Sequence, residues 1–196
     1  GQRAQRIARC QVSRLDNHDG AGRVFAQCRK RHIEALAATA HAADWPCFRG
    51  NPAMTGVAPA AFTDTPKLAW SYNAGSSVQS TAAIWGGAVY LGTQGGQLLC
   101  LGLNDGKLRW WFKARGPLSA SPCVSGGRVF VGDETGGFYA VNAASGKLVW
   151  QFDTGDKIMS SATAVDGTVL VGCYDFNLYC FRADTGKKLW ACRTEA

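Results

Sequence analysis

The sequence predicts an all-β chain, a partial β-propeller of four-stranded antiparallel blades, with an N-terminal segment outside the propeller. Three observations carry that prediction. Tryptophan recurs at Trp70, Trp110, Trp150 and Trp190, 40 residues apart each time. Each interval holds three turn signals built on Gly-Gly, Asp-Gly or a similar pair. Between those turns lie two nearly continuous apolar runs, the pattern of strands covered on both faces.

The repeat units run over 78–112, 118–152 and 158–192. Each opens on small residues: Ser80, Thr81 and Ala82; then Ala120, Ser121 and Pro122; then Ser160, Ser161 and Ala162. A first turn follows at Gly86-Gly87, Gly126-Gly127 and Asp166-Gly167. The first apolar run is Val89 to Gly92, Val129 to Gly132 and Val169 to Gly172. A second loop, around Gly95-Gly96, Gly136-Gly137 and Asp175 to Asn177, leads to a second run at 98–101, 138–141 and 178–181. The third turn carries Gly106, Gly146 and Gly186, and a lysine-bearing stretch then closes on tryptophan.

Three turns divide such a unit into four short strands, and glycine supplies the positive φ that two-residue hairpin turns require. A four-stranded sheet of this length, covered on both sides by copies of itself, is a propeller blade. A two-sheet sandwich would alternate apolar and polar residues, and a helical solenoid would show a period of 3.6. The small opening residues suit the crowded axis. The closing tryptophan suits the wide rim, where an indole buries on the order of 200 Å² against the next blade. Trp70, Trp110, Trp150, Trp190, Gly106, Gly146 and Gly186 are therefore read as structural.

Two regions precede the first full unit. Residues 1–43 are basic, with a net charge of +5, and are read as a secretory leader or a disordered tail with one short helix. Arg29, Lys30 and Arg31 precede a short apolar stretch that ends in Ala40-His41-Ala42, which has the small-x-small form of a cleavage site. Residues 44–77 are read as a lead-in segment and the outer strand of a preceding blade.

From residue 44 on the net charge is only +2, which gives no basis for nucleic-acid binding. No run of about 18 apolar residues is present, so no membrane-spanning helix is expected. The eight cysteines include no C-x-x-C pair, which argues against a zinc site of the usual spacing. Cys100, Cys123, Cys173 and Cys180 fall in apolar runs and read as small buried hydrophobes.

The repeat resembles that of the pyrroloquinoline quinone (PQQ) enzymes, a strand ending in an A-x-D-like corner followed by T-G-K-x-x-W. Ala183-Asp184-Thr185-Gly186-Lys187-Lys188-Leu189-Trp190 is the closest copy, and the stretches ending in Trp150 and Trp110 follow it more loosely. The lead-in Asp44-Trp45-Pro46-Cys47-Phe48-Arg49-Gly50-Asn51-Pro52 is similar to that of exported bacterial PQQ-like repeat proteins. Those proteins include the propeller lipoprotein of the outer-membrane barrel-assembly machinery. The resemblance implies a periplasmic or secreted location, a signal peptide and a protein-binding role, either in outer membrane assembly or with another exported protein.

Fold alone does not settle function. Quinoprotein dehydrogenases built on this repeat hold PQQ against two adjacent cysteines and calcium on acidic or amide ligands, and this chain has no Cys-Cys pair. Asp133, Glu134, Asp153, Asp156 and Asp175 are the acids that could donate oxygen ligands. The sequence shows neither a catalytic triad nor a phosphate loop, and its histidines (18, 32 and 41) all lie in the head. The expectation is a non-catalytic interaction scaffold without a cofactor. The alternative is a fragment of a PQQ- and calcium-dependent dehydrogenase.

Loops between blades and loops between the second and third strands should share one rim, where a rigid scaffold presents binding residues. Lys113, Arg115, Asp133, Glu134, Tyr174, Asp175 and Phe176 are the candidates there for contact with a protein partner. Three units and one outer strand fall short of the roughly four to eight blades of a propeller. A truncated part of a longer propeller is the simplest expectation, with self-association through exposed blade faces as the other consequence.

Overall fold

A computed structural model describes residues 25–29, 32–37, 44–57 and 67–194. Three antiparallel sheets of four strands follow one another along the chain, after a sheet of three. The three-stranded sheet comprises β1 (Phe25–Arg29), β2 (His32–Ala37) and β3 (Lys67–Asn73). The first complete blade is β4 (Ala83–Trp85), β5 (Ala88–Gly92), β6 (Gln97–Gly102) and β7 (Leu108–Lys113). The second is β8 (Cys123–Ser125), β9 (Arg128–Gly132), β10 (Gly137–Asn142) and β11 (Leu148–Asp153). The third is β12 (Thr163–Val165), β13 (Thr168–Gly172), β14 (Asn177–Arg182) and β15 (Lys188–Arg193). Strands within each blade pair in sequence order, as a meander.

The short opening strand β8 contacts both β4 and β12, so adjacent blades converge there. At that convergence the Thr81 amide donates to Ser121 Oγ at 2.9 Å, and the Ser121 amide donates to Ser161 Oγ at 3.1 Å. Only small side chains leave room for such bonds between adjacent blades. The middle strands carry the core. β5 is buried throughout, β6 and β10 nearly so, and their side chains form three clusters, each spanning the space between neighbouring sheets. In the third blade burial alternates along β13 and β15 is exposed along its whole length, with no further sheet against that face among the described residues.

The tryptophans join blade to blade. Trp70 Nε1 donates to the Leu103 carbonyl at 2.8 Å, Trp110 Nε1 to Ala143 at 3.0 Å, and Trp150 Nε1 to Ala183 at 3.0 Å. In each case the acceptor lies 33 residues on, at the third turn of the next blade. A one-residue register shift precedes every tryptophan: Ala140 pairs with Trp150 but Val141 with Leu148, and the same step recurs at Cys100/Leu101 and Cys180/Phe181. Such a bulge bends the strand and re-aims the side chain that follows it. Trp190 occupies the same register, with no blade beyond it among the described residues, and is 44% exposed.

The N-terminal region differs from one part of the sequence reading. Ile33–Ala37, expected either in a leader or in a short helix, lies in strand β2. β2 pairs with β3 in the register of a blade's third and fourth strands, including the shift between Ala35 and Leu36 that precedes Trp70. β1 pairs with β2 in turn, and Ile33 is buried against Trp70 and Leu101. The inner edge of β3 needs a partner for its backbone groups, and that demand overrides the helix-forming character of Glu34, Ala35, Leu36 and Ala37. The Ala40-His41-Ala42 motif lies outside the described residues.

Residues 44–57 cross the end of the blades where the first hairpins turn. Trp45 exchanges backbone hydrogen bonds with Ile84 at 2.7 and 2.9 Å, and Asp44 accepts from the Gly86 amide at 3.0 Å. The Pro46 carbonyl then accepts from the Val124 amide at 2.7 Å, so the lead-in bridges β4 and β8.

Candidate functional site

The opposite end of the blades carries the expected rim. The Gln94 amide donates to the Ser77 carbonyl, Glu134 to Pro117, and Tyr174 to Lys157, at 2.8 to 3.1 Å. Ala114 donates to Gly96 and Thr154 to Gly136, both at 2.9 Å. These bonds hold each loop between second and third strands against the connections that enter and leave its blade. The seven candidates therefore gather at one end of the molecule, and they differ sharply in what they present there.

Asp133 is fully buried. One carboxylate oxygen accepts from the Thr135 amide, the Thr135 hydroxyl and the Gly137 amide at 2.8 to 2.9 Å. The other accepts from the Gly116 amide at 3.0 Å and the Tyr139 hydroxyl at 2.8 Å. Burial alone would raise its pKa, but the bonds from Tyr139, Gly137, Thr135 and Gly116 outweigh it and hold the carboxyl below its ordinary value. Asp133 organises this loop from inside. It has no surface to offer a partner, contrary to the expectation from sequence, and neither oxygen is left for a cation.

Blade three has Cys173 at the matching position, and a nearby residue takes over the part. Asp175 accepts from the Tyr179 hydroxyl at 2.6 Å, and from the Gly155 and Asn177 amides at 3.0 Å. Burial again opposes ionisation and these donors again prevail, so its pKa is lowered, while that of Tyr179 is pushed up to about 12, by burial first and by Asp175 next. Moving the carboxylate two residues on leaves Phe176 at the turn with φ of +66°, where the other two blades have Gly96 and Gly136. A bulky residue in that region is held there by its surroundings rather than by preference.

Arg115 pairs with Asp153 at 2.5 Å, and its Nε donates to the Tyr139 hydroxyl at 3.3 Å. Lys113 Nζ donates to the Gly95 carbonyl at 2.6 Å. Both are exposed cationic side chains fixed at the rim.

The surface chemistry of the rim changes between blades two and three. In blades one and two, Gln94 Nε2 donates to Ser119 Oγ at 2.7 Å, and the Ser119 hydroxyl donates to Glu134. The residues 40 on from Ser119, Glu134 and Gly136 are Met159, Tyr174 and Phe176, which are 40%, 52% and 52% exposed. Lys157 Nζ lies 4.5 Å from the centroid of the Tyr174 ring and fixes one side of it. Sequence reasoning found the two aromatics but missed Met159. Aligning the three units column by column exposes it, because Gln79 and Ser119 occupy the same column.

Three of the five acids that could donate oxygen ligands are engaged in contacts within the protein. Asp133 and Asp175 spend their oxygens within their own loops, and Asp153 is committed to Arg115. Among the described residues no three His, Cys, Asp or Glu side chains converge as metal ligands, and no helix is long and apolar enough to cross a membrane.

The family model described as outer membrane protein assembly factor BamB matches residues 54–195. No curated protein matches the chain. Among solved structures the chain is similar to BamB from Moraxella catarrhalis, with 30% identity and a TM-score of 0.60, over 65% of this chain and 40% of that one. It is also similar to a europium-containing methanol dehydrogenase, at 17% identity and a TM-score of 0.66, over 78% of this chain and 32% of that one. A third likeness is to the quinohemoprotein alcohol dehydrogenase ADHIIG from Pseudomonas putida HK5, at 16% identity and a TM-score of 0.65, over 88% of this chain and 33% of that one. The two dehydrogenase likenesses show the fold alone. The chain spans less than half the length of each of these three proteins.

Proposed function

The chain belongs to the family of the outer membrane protein assembly factor BamB, and from that membership we propose that it is a non-catalytic protein-interaction scaffold of the bacterial cell envelope, part of a longer propeller. The observation that carries the reading is the apolar trio Met159, Tyr174 and Phe176 on the rim of blade three, in the columns where blade two has Ser119, Glu134 and Gly136. Exposed aromatics on a rigid loop supply contact area at low entropic cost, and Lys113, Arg115 and Glu134 on the same rim supply the polar border of such a contact. The proposed partner is a protein with an apolar segment flanked by charge. The uncovered outer face of blade three, with Leu189 and Trp190 exposed, is a second surface, for a further blade or for self-association.

The dehydrogenase reading is weaker here, because Asp133 and Asp175 are consumed by their own loops and the chain has no adjacent cysteine pair. The test places a photo-crosslinking residue at 174 or 176 in cells, with position 166 at the opposite end as control. A specific adduct with an envelope protein from the rim positions supports the scaffold. Its absence, or PQQ retained with calcium after desalting together with dye reduction, overturns it.

A further inference from the structure

The lead-in segment brings together two cysteines that are far apart in sequence. Cys47 follows the carbonyl that accepts from Val124, and Cys123 precedes the amide that donates to it, so the 2.7 Å backbone bond between Pro46 and Val124 sets the two residues side by side. Both are buried, at 3% and 2% exposure, in one apolar cluster with Phe130, Ala162 and Ala164. Their side chains lie in the same cluster, where each thiol acts on the other, lowering the pKa of Cys47 and raising that of Cys123. The other cysteines with described side chains have different surroundings: Cys100 lies across from Tyr90 on the neighbouring strand, Cys173 donates to the Asp156 carbonyl, Cys180 is buried across from Trp190, and Cys192 is exposed.

We propose that Cys47 and Cys123 form a redox clasp, free as thiols in the state described here and joined by a disulfide under oxidising conditions, which fastens the lead-in across blades one and two. Cys47 is the attacking sulfur, because undocking of the lead-in that carries it exposes it to the oxidant. The oxidant is a disulfide, either a small molecule or a thiol–disulfide exchange protein. The Cys47 thiolate attacks one sulfur of that disulfide and expels the other as a thiolate. The Cys123 thiolate then attacks Cys47 in the mixed disulfide and releases the second. Two thiols of the protein lose two protons and two electrons, and the oxidant becomes two thiols.

Because both sulfurs are buried, exchange takes place while the lead-in is undocked, during folding or local opening. Once closed, the bond acts on the end of the blades opposite the rim and leaves the rim free. It constrains the unfolded chain through a long loop, which raises the unfolding midpoint.

The test uses the full chain refolded in oxidised or in reduced glutathione, alkylated in denaturant and cut with trypsin. Cys47 and Cys123 then fall in the peptides 32–49 and 116–128, each of which holds a single cysteine. The expected result is one linked pair of these peptides in the oxidised sample, lighter by two hydrogens than the two thiols, and alkylation of both in the reduced sample. Oxidised protein should also unfold at a higher urea concentration than reduced protein, and Cys47→Ala should abolish that difference. Both peptides alkylated after oxidised refolding, or Cys47 linked to a different cysteine, overturns the proposal. The wild-type peptide map decides even if the variant does not fold.

Discussion

The ring of Trp150 lies so close to Gly186 that a Cβ built on the glycine would come within 2.5 Å of it. The same relationship joins Trp110 to Gly146 and Trp70 to Gly106, at 2.7 and 2.5 Å. Each glycine also has φ between +66° and +71°, where L side chains are strained. The third turn of every unit thus serves twice, as a left-handed corner and as the seat for the preceding blade's indole.

Gly186→Ala should therefore cost more than strain alone. Gly167 provides the control, since it has φ of +74° and open space around it. Gly167→Ala should destabilise by about 1–2 kcal/mol from backbone strain. Gly186→Ala adds overpacking against Trp150, for a total of about 3 kcal/mol. Urea unfolding midpoints of the two variants check the difference.

Removing the indole nitrogen should matter only where it has a carbonyl to reach. Trp150→Phe leaves the Ala183 carbonyl without its donor and thins the packing against Phe138 and Phe181, at a cost of about 2–3 kcal/mol. Trp190→Phe, at an exposed ring, should stay within about 0.5 kcal/mol of the parent. Equal losses at the two positions would show that the joint is not what stabilises the blades.

Acid should weaken the rim of blade two through Asp133. Its pKa is lowered in the folded protein, so the stability it contributes is fully present above the unfolded value of about 3.9 and is lost as pH falls through the folded value. Asp133→Asn should cost about 1–3 kcal/mol at pH 7, because the amide nitrogen cannot accept from the donors that the second oxygen serves. The stability gap between parent and variant should narrow as pH is lowered below 4, a convergence that paired urea titrations read directly.

Arg115→Ala should leave stability near that of the parent, because its partner Asp153 is as exposed as it is and such pairs contribute little. The same variant alters the polar border of the rim, so reduced crosslinking there with an unchanged unfolding curve is the expected pair of results.

The sequence made the blades legible for a physical reason. Trp70, Trp110, Trp150 and Trp190, the turn glycines, and the doubly covered runs such as Val89 to Gly92 are each demanded by local geometry repeated every 40 residues. The β1–β2 hairpin was not legible, because Glu34, Ala35 and Leu36 carry no strand signal of their own and take up strand conformation along the edge of β3. Asp133 and Asp175 look alike as loop acids, and only their hydrogen bonds reveal that both are used internally. The approach of Cys47 to Cys123 depends on the lead-in crossing two blades, a long-range contact that no spacing in the chain announces.

A double-mutant cycle between Trp150→Leu and Gly186→Ala, measured by urea unfolding, tests the seat most directly. If indole and glycine form a single joint, shrinking the ring relieves the clash, and the double variant should be more stable than the sum of the two losses by about 1–2 kcal/mol. Losses that add to within about 0.5 kcal/mol would contradict the account, since the two residues would then be acting independently.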